Sequence, residues 1–420
     1  MLADQWALSD PVVLGASEAW SQSRGEGVVV AVLDSGVQVD HPDLAASLWT
    51  NGAEQPGNGI DDDANGVVDD IHGANILNGG ANIGDDEGHG THVAGIIAAQ
   101  GANGIGGAGL APGAKLMIVK VLDANRVGTS STLADGIRYA VNEGAQILNV
   151  SLNGEATTEE LDDALRYAGE HGATIVAAAG NNSRDIDARP SYPASSPAAS
   201  VLTVTATGQQ ANLMSFANRG LQSVDLAAPG SQILSTARGS RYEQRAGTSM
   251  AAPYAAGALA LLAAARPDLA QADLRAALLS SARRSGALAG LIGAGQLNVG
   301  AAMHQLLPGG AWHVRAGARA AASASAPART QARLRLRTGR SARAGRRSQL
   351  RWTAKGAANV TRWRVSLDGR TAAKLSQTHT RVLHKRIARA GQHRWKVVGY
   401  DATNTRIVSG TRSFQVLRRR

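Results

Sequence analysis

One serine stands in a stretch of small residues that opens a long apolar helix. Ser249 lies within Gly247–Pro253, and residues 255–265 are almost all Ala, Leu and Gly. The amino end of such a helix presents unpaired N–H groups and a partial positive charge, so a hydroxyl there lies beside an anion site. Pro253 fits a first helical turn, where its missing N–H costs little. The stretch indicates a nucleophile, although a serine N-cap on an ordinary core helix fits it equally well.

Two further stretches supply the groups that a serine nucleophile needs. The apolar run 28–33 predicts a central parallel strand, and Asp34 follows it, where open α/β sheets keep their sites. His89 lies between two glycines at the start of another apolar helix. Each residue alone could be structural, the aspartate as a cap or turn residue and the histidine as a solvated one. Together they indicate a triad, because serine is a weak nucleophile without a base and an orienting carboxylate.

Five motifs in this order resemble those of the subtilisin family of serine endopeptidases. They are DSG at 34–36, HGTHVAG at 89–95, NVSL at 149–152, AAAGN at 177–181 and GTSMAAP at 247–253, and the resemblance runs from about residue 5 to about 302. It implies hydrolysis of protein and peptide substrates through an acyl-enzyme, with Ser249 attacking, His89 transferring the proton and Asp34 orienting His89. It also implies an oxyanion site made by the Asn181 side chain. A catalytically inactive, peptide-binding relative would have lost one of these groups, and none is missing.

The resemblance also places the substrate cleft. Ser151, Leu152 and Asn153 would pair with an extended substrate as an added strand, which holds the main chain without choosing side chains. Asn153 departs from the glycine usual after Ser-Leu in the family, and we expect it to narrow one wall of the cleft. Residues 182–191, expected to shape the primary specificity pocket, form a shorter segment than in the best-known members. The side-chain preference therefore stays open.

An acidic insertion at residues 57–70 predicts a calcium site. Carboxylates at the first, third and ninth positions, an amide at the fifth and a glycine at the sixth match an oxygen-ligand loop, with a backbone carbonyl at the seventh. The twelfth position is His72 instead of a glutamate, which departs from an EF-hand. A plain solvated acidic loop is the alternative. The predicted ligands are Asp61, Asp63, Asn65, Val67 and Asp69.

The resemblance implies a second structural calcium site around a glycine-rich loop. Asp43 and the Asn103 side chain would bind the ion together with the backbone carbonyls of Gly101, Ile105 and Gly107. Backbone ligands cannot be recognised from residue type, so a glycine-rich surface loop is the alternative here.

Strands and helices alternate from residue 28 to residue 281, which predicts an α/β fold with a doubly wound, mostly parallel sheet. The chain of 420 residues contains no cysteine, which excludes disulfides and thiol chemistry. We expect a subtilisin-like protease domain over residues 1–307, a linker rich in Ala, Ser and Arg over 308–332, and a basic domain over 333–420.

The basic domain alternates Trp, Val and Leu with Arg or Lys, which predicts an all-β sandwich of the immunoglobulin or fibronectin type. Residues 313–420 contain 27 Lys and Arg against two Asp, a net charge of +25. This charge indicates an anionic partner such as a cell-surface polymer, although a solvated basic surface fits equally well. Nucleic acid is less favoured, because Trp352, Trp363 and Trp395 alternate with the cations and would face a core instead of stacking on bases.

No apolar run long enough to span a membrane stands outside the predicted core helices. The first thirty residues lack the pattern of a secretory signal. The resemblance nevertheless implies a secreted or cell-envelope-associated protease, which we expect to be a monomer.

Overall fold

The structure is a computed structural model that describes residues 2–307 in full and the backbone of eight strands beyond residue 332, where only the side chains of Val365 and Leu367 are described. The predicted linker at 308–332 lies outside the described residues. Contacts divide the chain into two compact units, Met1–Arg315 and Ala316–Arg420.

Eight α-helices lie in the first unit, within residues 2–307. They are α1 (Trp6–Ser9), α2 (Ala16–Trp20), α3 (His89–Ala98), α4 (Ser130–Asn142), α5 (Glu159–Glu170), α6 (Thr248–Ala265), α7 (Gln271–Ser280) and α8 (Val299–Leu306). Side chains of Thr129, Thr158 and Asn298 cap the amino ends of α4, α5 and α8 by accepting a backbone N–H.

Ten strands lie in the same range. They are β1 (Val29–Asp34), β2 (Gly73–Asn75), β3 (Lys115–Lys120), β4 (Ile147–Val150), β5 (Thr174–Ala178), β6 (Val201–Thr207), β7 (Leu226–Pro229), β8 (Ile233–Ala237), β9 (Arg241–Arg245) and β10 (Gly295–Gln296). Eight of them form one parallel sheet in the order β10-β7-β6-β5-β4-β1-β3-β2. The remaining two, β8 and β9, form an antiparallel hairpin.

Both faces of the sheet are buried, as the continuous apolar strands predict. Val30 and Val32 of β1 point into one core with α3 and α6. Ala31 and Leu33 point into the other core with α4 and α5. The doubly wound α/β fold predicted from the sequence is confirmed for this unit.

Three local features differ from what the sequence predicts. The sequence of residues 296–299 predicts the closing strand of this domain, but the strand ends at Gln296, and Asn298 caps a helix that begins at Val299. Strands β2 and β9 had no prediction, because each is short and partly polar. Pro253 lies at the sixth residue of α6 and so beyond the first turn.

Helix α6 is apolar all round because it crosses the interior. It is long and apolar enough to cross a bilayer, and 83% of its residues are buried within the protein.

The second unit is described by its strands: β11 (Arg333–Thr338), β12 (Ala342–Arg343), β13 (Arg347–Lys355), β14 (Arg362–Leu367), β15 (Arg370–Ser376), β16 (Val382–Arg386), β17 (Gly391–Tyr400) and β18 (Arg406–Leu417). They form a three-stranded sheet, β11-β13-β16, and a five-stranded sheet, β12-β18-β17-β14-β15. All pairs are antiparallel except β12 with β18. The immunoglobulin-like or fibronectin-like sandwich stays a prediction.

A buried histidine joins α3 to the β8–β9 hairpin. Nε2 of His92 lies 3.1 Å from the carbonyl oxygens of both Ile233 and Glu243, and Nδ1 has no hydrogen-bond partner among the described residues. Because both partners are acceptors, Nε2 carries the proton and the ring is neutral. Burial and, to a smaller extent, the nearby Arg245 charge lower the pKa of His92 from 6.5 to about 4, although the hydrogen bond to the Glu243 carbonyl opposes this shift.

This histidine predicts a loss of stability in mild acid. Between about pH 4 and pH 6.5, His92 binds a proton in the unfolded chain but not in the folded chain. The free energy of unfolding should therefore fall with decreasing pH across that window, by up to about 1.4 kcal/mol per pH unit. The free energy of unfolding can be measured by urea unfolding at several pH values in a Ser249→Ala background. Its slope against pH should be shallower after His92→Gln. His304→Gln, at a side chain that is 73% exposed, is the control. Equal slopes in all three proteins would contradict this assignment.

Candidate active site

The site lies at the carboxyl edge of the parallel sheet, where the strand order reverses. Strand β1 pairs with β3 on one side and with β4 on the other, so the chain winds away from β1 in both directions. Asp34 ends β1, Ser151 follows β4, and Asn181 follows β5 after two residues. Ligand sites of open α/β sheets lie at such switch points.

Asp34 and His89 form a buried pair at this edge. Nδ1 of His89 lies 2.8 Å from Oδ1 and 2.9 Å from Oδ2 of Asp34, and the Asp34 side chain is fully buried. Since a carboxylate only accepts hydrogen bonds, Nδ1 carries the proton and Nε2 is left as the basic nitrogen. Helix α3 can come this close because of Gly90, where an added Cβ would lie 2.1 Å from the Gly36 carbonyl oxygen.

A second carboxylate, that of Asp85, holds this pair in place. Asp85 accepts hydrogen bonds from the Ser35 hydroxyl at 2.9 Å, the Gly88 N–H at 2.7 Å and the Thr91 N–H at 2.9 Å. Burial raises its pKa, but these bonds and that from the Thr91 hydroxyl outweigh burial and lower the pKa. Asp85 thus ties the residue after Asp34 to the first turn of the helix that carries His89.

Ser249 is joined to Ser151 by two reciprocal hydrogen bonds. The Ser249 hydroxyl donates to the Ser151 carbonyl oxygen at 3.1 Å, and the Ser151 hydroxyl donates to the Ser249 carbonyl oxygen at 3.0 Å. Pro253 has no N–H to bond the carbonyl four residues earlier, so the Ser249 carbonyl is free to accept from Ser151. No hydrogen bond joins Ser249 to His89 within residues 2–307.

Asn181 is oriented by the residue that precedes Ser249. Its Oδ1 accepts from the Thr248 N–H at 2.9 Å and from the Thr248 hydroxyl at 3.0 Å. The amide nitrogen is left on the side of Gly247, 3.4 Å from the place that an added Cβ would take. Buried Asn218 braces the same loop, donating to the Ala179 carbonyl and accepting from the Asn182 N–H. Neither Thr248 nor Asn218 was expected to contribute, since nothing in their spacing links them to residue 181.

The predicted substrate strand borders a cavity of about 140 Å³. Leu152 and Asn153 line it together with Leu122, Leu133 and Tyr192. Beyond the strand, Gly154 and Tyr192 exchange two backbone hydrogen bonds of 2.8 Å. Asn153 is exposed, and its amide nitrogen donates to the Ser191 hydroxyl at 3.0 Å.

An ion pair lies next to His89. Glu87 accepts the His89 N–H at 2.7 Å with one carboxylate oxygen and pairs with Arg126 at 2.6 Å with the other. Partial burial raises the pKa of Glu87, but the Arg126 charge and hydrogen bond lower it below its ordinary value.

The residues of the second predicted calcium site come together. Asp43 is fully buried, and its two oxygens accept from the Asn103 amide at 2.6 Å and the Tyr242 hydroxyl at 2.9 Å. A Cβ added to Gly107 would lie 2.3 Å from Oε1 of Gln5, so Gln5 reaches the same loop. Gly101 and Ile105 belong to this loop as well. No cation pairs with Asp43 among residues 2–307, so its set of neutral oxygens and amides fits a bound cation.

In the acidic insertion the converging carboxylates are only partly those predicted. Oxygens of Glu54, Asp63 and Asp70 lie within 4.8 Å of one another. The Asn65 amide bonds to both Asp63 and Asp70. Two other predicted ligands also accept backbone N–H groups of the loop, Asp69 those of residues 57–59 and Asp61 those of residues 65 and 66. The Val67 side chain packs into the core. The cluster fits a cation, because like charges this close repel one another without one.

Comparison with known proteins agrees with this geometry. The model of the subtilase family, Peptidase S8, matches residues 25–295. Thermitase of Thermoactinomyces vulgaris is 35% identical over 279 residues, 65% of this chain and 87% of thermitase. Subtilisin Savinase of Lederbergia lenta is 38% identical over 278 residues, 66% of this chain and 91% of that protein. The major intracellular serine protease of Bacillus subtilis is 39% identical over 266 residues, 60% of this chain and 73% of that protein.

Solved structures show the same likeness. A protease of Pseudoalteromonas arctica superposes with a TM-score of 0.60 at 28% identity, covering 73% of this chain and 98% of its own. A cold-adapted subtilisin-like serine proteinase gives a TM-score of 0.53 at 29% identity, covering 66% of this chain and 89% of its own. With a family match over well over half of its length and relatives of this identity, the chain belongs to the subtilase family and is a subtilisin-like serine endopeptidase.

Proposed function

We propose that the enzyme cleaves peptide bonds through Asp34, His89 and Ser249. The Ser249 oxygen attacks the scissile carbonyl carbon while Nε2 of His89 takes the hydroxyl proton. Asp34 holds the imidazole through Nδ1–H and stabilises its charged form. His89 then gives the proton to the leaving amine, and water hydrolyses the acyl-enzyme by the reverse transfers. The buried 2.8 Å pair between Asp34 and His89 is the observation that supports this reading most directly.

The oxyanion would be held by the Asn181 amide and the Ser249 N–H. Thr248 occupies the carbonyl oxygen of that amide with two donors, which leaves the amide nitrogen available to the substrate. Such a preoriented donor stabilises the charge that develops in the transition state without reorganising. Ser151, Leu152 and Asn153 would align the substrate main chain beside Ser249.

The nucleophile can be tested directly. A fluorophosphonate probe should label Ser249 alone in the full chain, because only this hydroxyl would be activated. Ser249→Ala should lose both labelling and casein hydrolysis. Ser130→Ala, at a hydroxyl that lines the cavity of about 140 Å³, is the matched control and should keep both. Peptide mapping of the labelled protein by mass spectrometry gives the position. Labelling at another residue, or undiminished hydrolysis by Ser249→Ala, would refute the assignment.

We propose further that calcium binds at two places and stabilises the fold. Asp43, Asn103 and the carbonyls of Gly101, Ile105 and Gly107 would hold one ion. The acidic insertion would hold the other through Asp61, Asp63, Asn65, Val67 and Asp69, joined by Glu54 and Asp70. Two features support the proposal: the buried carboxylate of Asp43 without a cationic partner among residues 2–307, and the convergence of Glu54, Asp63 and Asp70.

Chelation should then lower the stability of the Ser249→Ala protein. An ion that binds only the folded form adds about 2.7 kcal/mol per site at a hundred times its dissociation constant. In calorimetry, EGTA should lower the midpoint temperature of unfolding, and added calcium should restore it. Magnesium should not restore it, since its small octahedral shell fits large oxygen cages poorly. Asp43→Asn and Asp63→Asn should each remove part of the shift, whereas Asp40→Asn at an exposed position should not. A midpoint indifferent to EGTA would refute both sites.

For the basic C-terminal part we propose binding to an anionic cell-surface polymer, and for the whole protein secretion or attachment to the cell envelope. The net charge of +25 over residues 313–420 supports the first. Deleting these residues should abolish low-salt retention on an anionic matrix, which salt also weakens because exposed charges are screened beyond about 10 Å at 0.1 M. Equal retention of the shortened and full chains would contradict it.

Cell fractionation tests the proposed location of the protein, since a relative named as intracellular also matches.

A further inference from the structure

The slot beside Ser249 is crossed by one of its own side chains. Strands β4 and β5 are neighbours, so the segments 151–153 and 179–181, which follow their carboxyl ends, lie next to each other. We take these two segments as the walls of the slot. With the carbonyl of the acyl residue held between Ser249 and Asn181, the side chain of that residue has to enter between these walls. Asn153 projects from the first wall into this space and donates to the Ser191 hydroxyl at 3.0 Å.

The opposite wall lies very near this amide. A Cβ added to Gly180 would stand 2.8 Å from the Asn153 amide nitrogen. With a Cα–Cβ bond of about 1.5 Å, the amide nitrogen is then at most about 4.3 Å from the Gly180 Cα. A flat ring inserted between two walls needs roughly 7 Å, since carbon atoms in contact lie about 3.5 Å apart. An aromatic side chain does not fit while Asn153 is in place.

The base of the slot is polar and fixed. Ser191 is only 2% exposed, and its N–H donates to the Ser195 hydroxyl at 3.0 Å while its carbonyl oxygen accepts the Ser195 N–H at 2.6 Å. A long apolar side chain that displaced the exposed Asn153 side chain would separate its amide from the Ser191 hydroxyl and leave that buried hydroxyl without this donor, which costs free energy. A methyl or hydroxymethyl group reaches the upper part of the slot without disturbing them.

We propose that Asn153 closes the primary specificity slot, so that the enzyme cleaves after small residues, namely glycine, alanine and serine, and rejects aromatic ones. The proposal rests on the proposed function, because it assumes that residues 151–153 flank the acyl residue of the substrate. Asn153 is here a specificity-determining residue whose bond to Ser191 keeps the slot shut.

The test uses the full chain and two peptide p-nitroanilides that differ only in alanine or phenylalanine before the scissile bond. The native protein should favour alanine by at least about tenfold in kcat/KM, the scale on which pockets discriminate by shape. Asn153→Gly should raise the phenylalanine-to-alanine ratio at least about tenfold by opening the slot. Asn212→Gly, at an exposed loop position where the amide donates to Gln210, should leave the ratio unchanged.

Fluorophosphonate labelling of Ser249 in each protein separates the outcomes. If Ser249 is labelled and the native protein cleaves the phenylalanine substrate as well as the alanine one, the specificity proposal fails while the proposed function stands. The same holds if Asn153→Gly leaves the ratio where it was. If Ser249 is not labelled and neither substrate is cleaved, the proposed function fails and this proposal with it. Asn153→Ala replaces Asn153→Gly should the glycine variant not fold, and the same shift is expected from it.

Discussion

The two hydrogen bonds between Ser151 and Ser249 are the constraint on which the site depends. They fasten the amino end of α6 to the carboxyl end of β4, and β4 pairs with β1, which ends at Asp34. A proline six residues into a buried helix would ordinarily cost a hydrogen bond. Here the carbonyl that loses its partner is that of Ser249, and Ser151 supplies the replacement. The position of the serine is therefore set by the sheet as well as by its own helix.

Around this junction the protein relies on close approach and buried polar networks. Glycine at position 90 lets α3 reach the Gly36 carbonyl, which brings His89 to Asp34. Asp85 then holds the loop after Asp34 and the start of α3 with several charge-assisted bonds. Such networks are strong in a low-dielectric interior only when every member is satisfied. The chain has no disulfide, so this preorganisation comes from packing, from hydrogen bonds and, in our proposal, from bound calcium.

The sequence predicts the parts of the site whose residues lie in contiguous motifs, and it does not predict contacts between segments that are distant along the chain. Asp34, His89, Ser249 and Asn181 stand at the ends of apolar elements in contiguous motifs, so their convergence at one sheet edge could be foreseen, and so could the parallel sheet. Contacts between distant segments could not. Glu54 and Asp70 join Asp63 only because the loop folds back on itself, and nothing in the spacing connects Gln5 or Tyr242 to Asp43. The end of the chain's closing strand was also missed, because Asn298 acts as a helix cap where the apolar pattern suggested extended chain. For Asn153 the sequence indicated a narrowed wall, whereas its bond across the slot to Ser191 needed the structure.

In our proposal, Ser249, His89, Asp34 and Asn181 act on one substrate carbonyl in a cleft that Asn153 narrows. The most direct measurement is a crystal structure of the protein inactivated by a peptide phosphonate with an alanine side chain at the reacting position. We expect phosphorus bonded to the Ser249 oxygen, a phosphoryl oxygen within about 3.1 Å of both the Asn181 amide nitrogen and the Ser249 N–H, and the methyl group in contact with Asn153. An adduct on another residue, or a phosphoryl oxygen turned away from Asn181, would contradict it.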